Sequence, residues 1–238
     1  MNLWGITDIG AVRSDNQDSY AIERLDDQTA LAVVCDGMGG ARAGNVASRT
    51  AAEVFAASVK QNFTQDAGPG QVMLDAAAAA NERVHELSVA EEAYRGMGTT
   101  LVAALITPEK LYVVNVGDSR CYAIVNGDMT RVTRDHSLVE DLVERGEITP
   151  EEARNHPRKN LITRAVGVDR SVRADLFEVE NQGGYLVLCS DGLSNTVTDE
   201  ELRREVVAAD KEGCCQRLLR LALERGAPDN VTAVIAQL

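Results

Sequence analysis

Two stretches of the chain repeat apolar residues at helical spacing, 44–62 and 71–90, the second with an alanine-rich middle of high helix propensity. Each has an apolar face that a sheet or another helix must cover, and Gly68-Pro69-Gly70 reads as the turn between them. The rest of the pattern is mainly β. Residues 30–35 form one apolar run that stops at Asp36-Gly37. Residues 99–107 are apolar and β-branched, and Pro108-Glu109 turns the chain into 111–116, which stops at Gly117-Asp118. Residues 120–125 follow, Asn126-Gly127 predicts a type I′ hairpin, and 129–133 returns. Later, 185–189 leads into Ser190-Asp191-Gly192, a helical stretch covers 199–225 in one or two pieces, and 231–236 is a last strand.

Hairpins dominate and the helices come in blocks. That order predicts an α+β fold with antiparallel sheets and outer helices, not alternating βαβ units. So many strands fit two stacked sheets better than one. No repeat, low-complexity tail or linker divides the chain, so residues 1–238 are expected to form one domain.

Composition narrows the class. Apolar residues make up 45% of the 238, but aromatics only 4%, so the core must be built from Ala, Val, Leu and Ile. The formal net charge of -13 argues against nucleic acid and against an anionic membrane surface. The five cysteines are odd in number and none lies in C-x-x-C spacing, which favours a reducing, cytoplasmic setting over a disulfide framework or zinc site. The N-terminus has no signal-peptide pattern, and no apolar run approaches the ~20 residues needed to span a bilayer.

The acidic residues at strand ends carry the chemistry. Asp36-Gly37 and Asp191-Gly192 each follow an apolar strand, Asp118 follows another, and Asp229 stands just before the last. One Asp-Gly says little, because it is a common turn. Four carboxylates at the ends of rigid strands can converge, and hard cations such as Mg²⁺ and Mn²⁺ take oxygen ligands. Glycine beside a carboxylate lets the backbone carbonyl approach an ion as well. Near the start, Arg13-Ser14-Asp15-Asn16-Gln17-Asp18 offers an arginine able to grip a phosphate and a further carboxylate in Asp18.

At this point the chain resembles the bacterial branch of the PP2C-type (PPM) metal-dependent Ser/Thr protein phosphatases. The segment from Arg13 to Asp18 carries the resemblance together with Asp36-Gly37-Met38-Gly39-Gly40, Met97-Gly98-Thr99-Thr100 and Val116-Gly117-Asp118-Ser119-Arg120. Asp135-His136-Ser137, residues 161–167, Ser190-Asp191-Gly192-Leu193 and Asp229-Asn230-Val231-Thr232 complete it, in the family's order over nearly the whole chain. The resemblance implies a central β-sandwich of two antiparallel sheets flanked by helices on both sides, with a flap at about 145–160. It implies two Mn²⁺ or Mg²⁺ ions held by Asp36, the Gly37 carbonyl, Asp191 and Asp229, with Asp18 supporting one through a water. Asp118 with Asp191 matches the position of a weaker third ion, and Arg13 that of a phosphate-binding arginine. A bridging water is then the nucleophile, so neither a covalent phosphoenzyme nor a C-x5-R nucleophile loop is expected. Phosphorylated proteins and a partner Ser/Thr kinase are the implied partners, and a monomer is the default state.

One departure stands out. Relatives place a histidine, proposed to protonate the leaving group, either directly after Asp-Gly or after Gly-Met-Gly-Gly; this chain has Met38 and Ala41 there. His85 is expected at the surface, His136 as a structural residue and His156 as an exposed flap residue. A water on the ions is then expected to supply the leaving-group proton, or this help is weak. Two other readings use the same fold. A pseudophosphatase binding module would show no metal-dependent release of p-nitrophenol. A nucleotide or small-phosphate hydrolase would need a stacking pocket, for which 4% aromatics provide little material.

Overall fold

The computed structural model describes residues 1–64, 68–208, 210 and 212–238, leaving aside the side chains of 40–42. The strands are β1 (Asn2–Asp8), β2 (Asp18–Arg24), β3 (Ala30–Met38), β4 (Gly98–Thr99), β5 (Leu101–Ile106), β6 (Lys110–Val116) and β7 (Arg120–Val125). After these come β8 (Asp128–Arg131), β9 (Asp175–Glu180), β10 (Tyr185–Cys189) and β11 (Val231–Gln237). The helices are α1 (Gly40–Asn62), α2 (Pro69–Ala90), α3 (Leu138–Glu144), α4 (Pro150–Arg154), α5 (Asp191–Ser194), α6 (Asp199–Val207) and α7 (Cys214–Glu224). One sheet runs β1-β11-β10-β7-β8 and the other β2-β3-β5-β6-β9, with β4 paired to β3. Every pairing is antiparallel. Among the described residues no helix is long and apolar enough to cross a membrane.

Alternation along each central strand explains the four layers. On β3, Leu31, Val33 and Cys35 pack on α1 and α2, while Ala32 and Val34 turn into the space between the sheets. On β11, Val231, Ala233 and Ile235 face α6 and α7, and Val234 and Ala236 face the other sheet. A strand buried on both faces must be apolar at every position, which is why these runs stand out in the sequence. Phe55 of α1 is fully buried in the cluster between the helices α1 and α2 and the sheet that holds β3. Truncating such a side chain to alanine costs about 3–5 kcal/mol.

The elements depart from expectation at several points. β1, β2 and β9 are strands the pattern did not mark: each is only partly buried and mixes charged with apolar residues. Gly68-Pro69-Gly70 is less a turn than the start of α2, with Gly68 as cap and Pro69 in the first turn, where a missing N–H costs nothing. The expected strand over 99–107 is split at Thr100. Its register against β3 runs on without a slip, but the Thr100 hydroxyl, not its carbonyl, accepts the Asp36 N–H at 2.9 Å. The stretch 199–225 divides into α6 and α7; residues 209 and 211, between them, lie outside the described residues. The expected flap contains α4, closed by a capping box of Thr149 and Glu152. At the β7–β8 hairpin Asn126 and Gly127 both have positive φ, as a type I′ turn requires.

Candidate active site

The first link is a strand pairing. Asp18 opens β2 directly opposite Asp36 on β3, so two carboxylates meet at one end of the sandwich. Asp118 arrives in the turn between β6 and β7, Asp191 at the start of α5 after β10, and Asp229 just before β11. Strands from both sheets thus deliver their acidic ends to one cavity of about 430 Å³. Arg13, Asp36, Gly37, Asp118, Asp191 and Asp229 all line it, with Thr100, Asn160, Ile162 and Asn230. Asp18 lies just behind, only 7% exposed.

Gly37 is glycine for a steric reason. A Cβ there would sit 2.0 Å from the Gly44 carbonyl oxygen and 2.6 Å from that of Gln17. The contact brings α1 and the β1–β2 loop against the end of β3, and the Gly37 N–H donates to the Gln17 carbonyl at 3.0 Å. Asn230 ties down the same loop. Its amide donates to the Ile9 and Asp15 carbonyls at 2.9 and 3.0 Å, and its oxygen accepts the Gln17 N–H at 2.8 Å.

The carboxylates have few compensating partners. Ser190 donates to Asp18 Oδ2 at 2.7 Å, but Asp18 Oδ1 is buried with no hydrogen-bond partner. Asn195 donates to Asp191 at 3.0 Å, and the Arg13 guanidinium donates to Asp229 at 2.7 Å. Proton affinities follow. Burial, then the charges of Asp191 and Asp229, lift Asp18 to about 7. Burial, then Asp191 and Asp135, lift Asp118 to about 8. Asp36 is held well above the carboxylate range by burial and by Asp18, Asp191, Asp118 and Asp229. Asp191 is raised by burial and by Asp229.

Such a set, all oxygen and short of positive charge, fits hard divalent cations. The orphaned Asp18 oxygen and the carboxylates' affinity for protons both mark missing positive charge. Among the described residues no three His, Cys, Asp or Glu side chains close into a compact cage. Asp36, Asp118, Asp191 and Asp229 stand around an open cavity instead.

No histidine lines the cavity among the described residues. His136 is buried and hydrogen-bonded, as expected of a structural residue. His85 is half-buried against the Gly167 carbonyl, not at the free surface as expected. His156 is likewise half-buried, not exposed as expected, and its Nδ1 accepts the Arg158 N–H at 3.2 Å. Met38, at one of the two positions where the resemblance implies a histidine, lines the cavity, and the side chain of Ala41, at the other, lies outside the described residues. The chain does hold one C-x5-R spacing, Cys214 to Arg220, but it lies along α7 with Cys214 buried in the core, so it forms no phosphate loop. Sequence reasoning gave no role to Thr100, Ser190 or Asn230; their hydrogen bonds to the Asp36 backbone, the Asp18 carboxylate and the β1–β2 loop are visible only in three dimensions.

The family profile of protein phosphatase 2C matches residues 11–220. A serine/threonine phosphatase of Listeria innocua is 37% identical over 97% of this chain and 93% of its own length. The crystal structure of a serine/threonine phosphatase from Staphylococcus aureus superimposes with a TM-score of 0.93 at 36% identity, over 99% of this chain and 94% of that one. The catalytic domain of the serine/threonine protein phosphatase PstP, in complex with two manganese ions, has a TM-score of 0.88 at 35% identity, over 99% and 97%. The chain belongs to the protein phosphatase 2C family, and it is an enzyme of the protein phosphatase class.

Proposed function

We propose that this chain removes phosphate from phosphoserine and phosphothreonine on proteins, with two divalent cations, Mn²⁺ or Mg²⁺, in the cavity. Asp36, the Gly37 carbonyl, Asp191 and Asp229 would hold the pair, Asp18 would act through a water, and Asp118 with Asp191 would hold a weaker third ion. The carrying observation is the cavity in which acidic strand ends face one another with a buried carboxylate oxygen left unpaired. When bound, such ions supply Lewis acidity and a water acidified toward neutral pH.

The chain's own residues then have separate tasks. Arg13 stands at the cavity mouth, half exposed, and presents a guanidinium to phosphoryl oxygens. Asn230 and Gly37 keep the Arg13 loop against β3, so this cation stays in place. Of the proposed flap at 145–160, Asn160 lines the cavity, and Ile162 just beyond it does so too. Five buried free cysteines support a reducing cytoplasm, where a Ser/Thr kinase would supply the substrates. The function is read on a monomeric single domain.

The test is release of phosphate from a phosphothreonine peptide, p-nitrophenyl phosphate and a nucleotide panel, with chelator and with graded MnCl₂. Manganese-dependent turnover of the peptide and the aryl ester, with nucleotides slow, is the expected result. A folded protein inert at every manganese concentration would make it a binding module, and a preference for nucleotides would replace the protein substrate.

A further inference from the structure

We propose that His136 is a positioning residue that fixes the Gly117–Asp118 turn, and that Asp175 and Arg164 hold its imidazole in the tautomer this requires. The importance of Asp118 rests on the function proposed above; the clamp itself rests on geometry alone.

Gly117 has φ +103°, and a Cβ there would meet Thr100 Cγ2 at 2.6 Å, so the turn is a tight one lying on β4–β5. His136 grips it twice. The His136 N–H donates to the Gly117 carbonyl at 2.8 Å, and the Gly117 N–H donates to His136 Nδ1 at 3.1 Å. A backbone N–H can only donate, so Nδ1 is the acceptor and the ring proton sits on Nε2. That proton points to Asp175 Oδ2 at 3.2 Å, and Asp175 Oδ1 accepts from Arg164 at 2.7 Å. The ring is 3% exposed, and its burial favours the neutral form.

The same residue reaches the cavity by a second route. The His136 carbonyl accepts the Thr163 N–H at 2.8 Å, and neighbouring Ser137 bridges to Ile162, which lines the cavity wall. Asn115 adds a further bond to the Gly117 carbonyl at 3.1 Å. Asp118 has no strand of its own. Its carboxylate is carried by the turn, so the direction in which it enters the cavity depends on the groups that hold Gly117. Partners of this kind, one bond removed from a candidate ligand, commonly change metal affinity about 10–100-fold when lost.

Two substitutions separate positioning from mere packing. His136→Asn places an amide oxygen near Nδ1 and keeps the acceptor for Gly117. His136→Gln reaches toward Asp175 but leaves the Gly117 N–H without a partner. The primary readout is the ¹³C resonance of the Asp118 carboxyl in metal-free protein, set against those of Asp36, Asp191 and Asp229. His136→Gln should move the Asp118 resonance and spare the other three, and His136→Asn should restore it. In manganese titration calorimetry, His136→Gln should weaken only the weakest-binding step, by roughly tenfold. If His136→Gln does not fold, Asp175→Asn is read on the same resonance and should displace it.

An unmoved Asp118 signal, or equal movement of all four carboxyls in both variants, overturns the proposal. A displaced Asp118 signal with unchanged manganese binding keeps the clamp and removes only the metal role of Asp118.

Discussion

Replacing Asp18 by asparagine sets two parts of the site against each other. In the metal-free protein the Asp18 carboxylate is buried at 7% exposure, with one oxygen bonded to Ser190 and the other to nothing. Its proton affinity rises from 3.8 to about 7. A carboxylate raised in the fold costs nothing below the unfolded value of 3.8, destabilises progressively between 3.8 and about 7, and reaches its full cost above that. A shift of about three units corresponds to roughly 4 kcal/mol. Asparagine removes that cost, and its oxygen still accepts from Ser190. Its amide, buried where Oδ1 had no partner, returns about 1–3 kcal/mol of penalty. The net gain is about 1–3 kcal/mol, or roughly 2–10 °C in Tm for a chain of this size. Thermal melts in chelator at pH 8.5 should therefore show Asp18→Asn melting higher than wild type, with the advantage lost between about pH 6 and 4.5 and the order reversed below about 4, where only the penalty of the buried amide remains. In millimolar manganese the advantage should narrow by about 1.4 kcal/mol, because a ligand stabilises by RT ln(1 + [L]/Kd) and a tenfold weaker Kd forfeits that much. A variant that melts lower than wild type in chelator at pH 8.5, or that gains as much from manganese as wild type does, would refute the reasoning.

Other outcomes follow from the same geometry. Gly37→Ala places a Cβ 2.0 Å from the Gly44 carbonyl oxygen, so α1 and β3 must separate. Overpacking of that kind costs about 1–3 kcal/mol or more, and the melt should drop together with manganese affinity. Arg13→Ala should raise KM for p-nitrophenyl phosphate about tenfold or more, as loss of a charge-assisted contact worth 1.5–3 kcal/mol implies; an unchanged KM would remove the phosphate role. With no histidine on the cavity wall among the described residues, rates should depend steeply on leaving-group pKa. His156→Ala should leave that plot unchanged, and a flat plot combined with loss of activity in His156→Ala would restore a histidine acid.

Local signals carried much of the fold. The runs at 30–35, 185–189 and 231–236 are apolar except for Thr232 because helices cover one face and the second sheet the other, so burial on both sides is written into nearly every residue. Asn126-Gly127 specifies its hairpin through backbone conformation alone. β1, β2 and β9 were not legible for the complementary reason: their residues are half-buried, and what they pack on is supplied by segments far away in the chain. α4 is too short to carry a helical period.

The site divides in the same way. The sequence determined which residues hold the oxygens, because Asp36, Asp118, Asp191 and Asp229 sit where apolar runs end, and the ordered motifs gave the family. Only the tertiary structure decided that Asp18 faces Asp36, that one of its oxygens is left unpaired, that Asn230 binds the Arg13 loop, and that His136 grips the turn before Asp118. Each of these is a contact between segments separated by tens to hundreds of residues. A strand's ends are fixed by local composition, but what stands opposite them is set by the pairing of strands and the packing of layers.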